Sequence, residues 1–112
     1  MYPFAFAFGA VMVLIAPHPT AAWLNTAQLQ SACEVGLQNP TPDNPAYALC
    51  TGLILGTLSA DALEKNVICA PPDLDTKTVL RIFIARAASE RDKKAEGAII
   101  LYRALAESYP CR

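Results

Sequence analysis

Four cysteines, Cys33, Cys50, Cys69 and Cys111, are spread along a chain of only 112 residues. An even number of cysteines in a small exported domain implies a disulfide framework, and two such bonds restrict the folds open to the chain more than any other feature. Zinc binding is the alternative use of four thiols. It is disfavoured because the sequence has no Cys-x-x-Cys pair and its one histidine, His18, lies upstream of all four cysteines. The choice between the two therefore turns on the compartment.

The beginning of the chain points to export. Phe4 to Ala16 is almost wholly apolar, Pro17-His18-Pro19 breaks it, and the small residues Thr20, Ala21 and Ala22 follow. This is the layout of a signal peptide cleaved after Ala22, although no Lys or Arg precedes the apolar core. The rival reading is a retained anchor, but the apolar run is shorter than the ~20 residues needed to span a bilayer. Residues 1–22 are thus expected to be a signal peptide and residues 23–112 the mature domain, placed in the periplasm with no membrane attachment. A domain of that size buries a limited core and often needs covalent help. All nine Lys/Arg and all ten Asp/Glu fall in the mature part, giving a formal net charge of −1. That balance favours neither nucleic acid nor an anionic membrane surface.

Periodicity predicts an all-α fold of four helices. Leu29, Cys33 and Leu37 line one face of the first, from about Thr26 to Gln38, with Asn25 or Thr26 as its cap. The proline-rich run Asn39 to Pro45 forms a loop. The second helix begins near Pro45, where proline suits a first turn, and continues through Leu49, Leu53, Gly56 and Ala60 to about Lys65. Gly52 and Gly56 make a flat strip where packing of another helix is expected. Cys69-Ala70-Pro71-Pro72-Asp73 is the next break. Asp75 or Thr76 caps a third helix with Val79, Leu80, Phe83, Ile84 and Ala87 on one face, leaving Lys77, Arg81 and Glu90 to solvent. The charged run from Ser89 to Lys94 reads as a turn. The fourth helix places Ala95, Ala98, Ile99, Tyr102, Leu105, Ala106 and Tyr109 at three-four spacing and stops at Pro110. No segment alternates like a strand.

Four cysteines allow three pairings. If the third and fourth helices form a hairpin, Cys69 just before it and Cys111 just after it meet at its open end. Cys33, late in the first helix, then faces Cys50, early in the second, across the proline-rich loop. The expected bonds are Cys33–Cys50 and Cys69–Cys111.

Little in the mature part points to catalysis. It lacks histidine, and with it the usual general base and the commonest metal ligand. Paired cysteines offer no thiolate nucleophile, and no glycine-rich phosphate loop is present. Asp61 with Glu64, or Asp73 with Asp75, are the remaining acid–base pairs, and their places at helix ends suit capping better. No cofactor is implied, and binding to another protein is the expected activity.

Cys50-Thr51-Gly52-Leu53-Ile54-Leu55-Gly56 resembles the Cys-x-Gly-Tyr-Ile-x-Gly stretch of the Rap/Tai immunity-protein family. Cys69-Ala70-Pro71 is similar to that family's Cys-x-Pro element, and Leu74 to Ala87, with Leu80 and Ile82, to its Val-Thr-x-x-Gln-Leu-x-x-Ile helix. Ala104-Leu105 through Tyr109-Pro110-Cys111 resembles its closing Ala-Leu-x-x-x-Phe-Pro-Cys. Departures are Leu53 for the usual Tyr, Asp75 and Val79 for Thr and Gln, and Ser89-Glu90-Arg91 for a His-Pro-Glu turn. The resemblance implies a periplasmic, helical, often homodimeric protein. It implies a partner too: a secreted cell-wall amidase effector of type VI secretion, bound and blocked to protect the producing cell. A small periplasmic chaperone and an accessory subunit of an envelope complex are the alternatives.

The loops Asn39–Pro45 and Ser89–Lys94 supply the candidate partner contacts Asp43, Asn44, Glu90, Arg91, Asp92 and Lys93. Tyr47, Tyr102 and Tyr109 are either interface anchors or core.

Overall fold

The computed structural model describes residues 24–112; the expected signal peptide and its cleavage site lie outside this range. Four helices follow one another: α1 (Thr26–Gln38), α2 (Pro45–Leu63), α3 (Thr76–Ser89) and α4 (Gly97–Ser108). Each start has a local cause. Asn25 and Gln28 form a reciprocal capping box at α1, the Asn25 side chain accepting from the Gln28 N–H at 2.8 Å. Asn44 caps α2 with Pro45 in its first turn, and Asp75 caps α3. The start of α4 has no side-chain cap. Its first N–H, from Gly97, donates instead to the Leu24 carbonyl at 2.9 Å, so α4 is started by a distant part of the chain. It begins two residues after Ala95, which the periodicity had placed inside it.

Both expected disulfides form. Cys33–Cys50 joins α1 to α2 with the Cα atoms 5.6 Å apart, and Cys69–Cys111 joins the loop before α3 to the C-terminus with a separation of 5.0 Å. Two isolated bridges, Asn25 with Glu96 and Ile68 with Pro110, are the extended pairings among the described residues.

Every pair of helices touches, and all four contribute to one core of Leu29, Cys33, Cys50, Ile54, Val79, Leu80, Phe83, Ala87, Ile100, Leu101 and Leu105, with Ile68 closing it. The buried face of α3 is as expected except that Ile84 is half-buried. The phase of α4 differs. Gly97, Ile100, Leu101, Ala104 and Leu105 face inward, whereas Ile99 is 46% exposed and Tyr102 half-buried. Ala98 to Leu101 is apolar all round, so two faces satisfy three-four spacing and only packing selects one.

The glycines are also used differently from expectation. Among the described residues no helix lies on the Gly52–Gly56 strip, and a Cβ at either position would have no neighbour within 4 Å. The close approaches occur at Gly36, where a Cβ would stand 2.9 Å from the Tyr47 Cα, and at Gly97, 2.9 Å from the Leu29 Cβ. By length and composition α2 would suit a membrane crossing. Its inner side is nevertheless committed to the bundle through Cys50, Ile54 and its one charged residue, Asp61.

Candidate functional site

The two loops use much of their polar chemistry internally. Asn44 accepts from the Ala46 N–H while its amide donates to the carbonyls of Asn39 and Val35. Glu90 accepts from the Asp92 N–H and pairs with Arg86 at 3.2 Å. The backbone N–H of Asp92, followed by the Arg86 guanidinium, holds the Glu90 carboxyl below its ordinary range. Glu90 is half-buried and does not belong with the solvated Lys77 and Arg81. The Lys93 ammonium donates to the Ala87 carbonyl at the end of α3, where a cation complements the helix dipole. Asp43, Arg91 and Asp92 remain exposed; Asp92 also accepts from the Lys94 N–H. The turn itself is anchored: the N–H and hydroxyl of fully buried Thr26 both donate to the Ala95 carbonyl, and the Ala27 N–H to that of Lys93. The donors at the start of α1 are thus satisfied by the charged turn.

Tyr47, Tyr102 and Tyr109 are half-buried and packed against the core. Tyr102 also belongs to a polar knot centred on Asp61, which is 4% exposed. The Asp61 carboxylate accepts from the Ile68 N–H at 2.8 Å, the Val67 N–H at 3.1 Å and the Tyr102 hydroxyl at 3.0 Å. Burial alone would raise its pKa. The Ile68 and Val67 N–H groups, the Tyr102 hydroxyl and the charge of Lys65 outweigh that and hold it below the ordinary carboxylate value. Burial and the Asp61 charge push the Tyr102 hydroxyl up. Asp61 therefore serves as a structural acceptor tying α2, α4 and the segment entering Cys69. Glu64, three residues further on, is exposed. Asp75 is likewise occupied in capping, accepting from the Lys77 N–H and the Thr78 hydroxyl.

Beside this knot lies a further surface, away from the two loops. An open groove of about 420 Å³ runs between α2 and α4, lined by Thr57, Ala60, Asp61, Glu64, Lys65, Ala98, Ile99 and Tyr102. Next to it α2 turns Ala48, Gly52, Leu55, Gly56, Ser59 and Leu63 outward without a charge among them. Leu55 is 63% exposed and Leu63 86%. A contiguous apolar surface of this kind marks an interaction site more often than a solvated face. The sequence signal was available: a 19-residue helix with one charged residue, and that one on its buried side.

Among the described residues the four cysteines are all disulfide-bonded, and no cluster of His, Cys, Asp or Glu is arranged to hold a metal. No curated protein and no solved structure matches the chain significantly. A family model does match, that of the Rap1a immunity proteins, over residues 25–111. This range takes in all four helices and both disulfides. The chain belongs to the family of Rap1a immunity proteins, whose role is to bind a secreted effector protein.

Proposed function

We propose that the mature chain is a periplasmic immunity protein, delivered by its N-terminal signal peptide, that binds and inhibits a peptidoglycan amidase effector of type VI secretion and pairs into a homodimer. The match to Rap1a immunity proteins across residues 25–111 carries this reading. The scaffold supports it. One disulfide ties α1 to α2 and the other ties the C-terminus to the entry of α3, so little ordering entropy is left to lose when a partner docks. Inhibition then works by occlusion, the immunity protein covering the effector's cleft. At the loops, Asp43, Arg91 and Asp92 are the side chains left for effector contact. A tagged mature protein recovered from the periplasm should capture a cell-wall amidase, and its co-expression should rescue cells from that amidase. Recovery of the native protein from the cytosol with free thiols would count against this function, as would failure to protect against any amidase encoded nearby.

A further inference from the structure

We propose that Trp23, which immediately precedes the described residues and is the first residue of the mature chain, seats its indole in the α2–α4 groove. The inference rests on export with cleavage after Ala22, and it names what covers the groove.

The groove lies where α2 ends and α4 begins, with Ala60 and Glu64 on one side and Ala98, Ile99 and Tyr102 on the other. The chain enters the described fold at the same place. The Leu24 carbonyl accepts from the Gly97 N–H at 2.9 Å, and Asn25 pairs with Glu96 in an antiparallel bridge. Continued one step back, that pairing sets Trp23 beside Ala98. Consecutive Cα atoms are about 3.8 Å apart and a helix rises about 1.5 Å per residue, so Ala98 and Ile99 fall within reach of the Trp23 side chain. Leu24 itself is half-buried and packed against the core, which fixes the point from which Trp23 departs.

The mixed lining of the groove fits this occupant. An indole has an apolar body and one N–H donor. Ala60, Ala98 and Ile99 offer apolar contact, and Tyr102 an aromatic ring. Cleavage before Trp23 also creates an α-ammonium group, which needs a carboxylate. Asp61 already accepts from three donors, so Glu64 is the acid of the groove left to receive it. Lys65 is exposed and keeps its own ammonium in water. A second copy or an effector would have to bring a side chain in from solution. Trp23 is tethered one residue from the site, at an effective concentration on the order of millimolar or above. Removal of the signal peptide thereby supplies the last contact of the fold.

Trp23 is the one tryptophan of the chain, so its fluorescence reports the site directly. The test is the emission and acrylamide quenching of the oxidised mature protein, over a concentration series, for wild type, Ala60→Gln, Ile99→Ser and Leu55→Gln. All three positions are exposed, and an unchanged helical circular-dichroism spectrum checks that each variant folds. Wild-type emission should be blue-shifted and several-fold less quenched than in urea, at every concentration. Ala60→Gln, which fills the groove, and Ile99→Ser, which removes its wall, should each shift emission to the red and raise quenching. Leu55→Gln, on α2 but outside the groove, should change neither. Nuclear Overhauser contacts between the indole and the Ile99 methyl groups should accompany the blue shift. A water-exposed indole in the wild type overturns the proposal, as does a blue shift that both groove variants leave intact. A blue shift that appears only as concentration rises assigns the groove to a second copy. One that appears only when the captured amidase is added assigns it to the effector, and either result overturns the proposal. Intact mass of the exported protein checks the cleavage separately: a chain that begins before Trp23 overturns the ammonium contact with Glu64, whatever the fluorescence shows.

Discussion

Replacing each of two glycines by alanine should move stability in opposite directions. At Gly36 a Cβ would stand 2.9 Å from the Tyr47 Cα, 3.0 Å from its nitrogen and 3.3 Å from the Ala46 carbonyl carbon. All three are backbone atoms of α2, so no side-chain rotation relieves the contact. The helices must part, and the Cys33–Cys50 bond one turn away resists parting. Overpacking of this kind costs about 1–3 kcal/mol, against a helix-propensity gain of about 0.5–1 kcal/mol. Gly36→Ala should therefore lose about 1–2 kcal/mol, a fall in Tm of about 5–15 °C for a domain of this size. Among the described residues Gly52→Ala meets nothing within 4 Å, so it should keep the propensity gain, raising Tm by about 3–8 °C. Calorimetry of the oxidised protein at concentrations low enough to keep it monomeric measures both. Equal shifts, or a Gly36→Ala protein as stable as wild type, would refute the claim that backbone contact at Tyr47 sets the α1–α2 distance.

Other outcomes follow from the same structure. Replacing Cys69 and Cys111 together with serine should cost about 4 kcal/mol and replacing Cys33 and Cys50 about 3 kcal/mol on loop-closure entropy, measured by urea unfolding. Cys69 is exposed while Cys33 and Cys50 are buried. Graded reduction with alkylation and mass mapping should therefore label Cys69 and Cys111 first. Asp61 has a pKa below its unfolded value, so its stabilising contribution is fully present above the ordinary carboxylate range and is lost as pH falls through the lower, folded value. Tm measured from pH 7 downward should fall less steeply for Asp61→Asn than for wild type, from a lower starting point; parallel curves would refute the role of the ionised carboxylate.

Sequence alone determined the number of helices, their bounds to within about two residues, both disulfides and the binding role. The signals behind these are local. Asn25 and Asp75 cap within a turn of themselves, a proline either opens a helix in its first turn or stops it, and two cysteines flanking a helical pair have few partners to choose from. Periodicity placed the inward faces of α1 and α3, but tertiary structure alone decided which side of α4 faces in. Ile99 and Ile100 are equally apolar, and only packing against α1 and α3 buries Ile100 and leaves Ile99 at the groove. The glycines show the same division: Gly36 and Gly97 are tight and Gly52 and Gly56 open, because a glycine's use depends on what approaches it from elsewhere in the chain. Asp61 read as one acid at a helix end, yet its acceptors are filled by Val67, Ile68 and, 41 residues away, Tyr102. Surface is what remains after all such contacts are made, so the sequence showed α2 to be almost uncharged, and only the fold decided which of its sides stays uncovered.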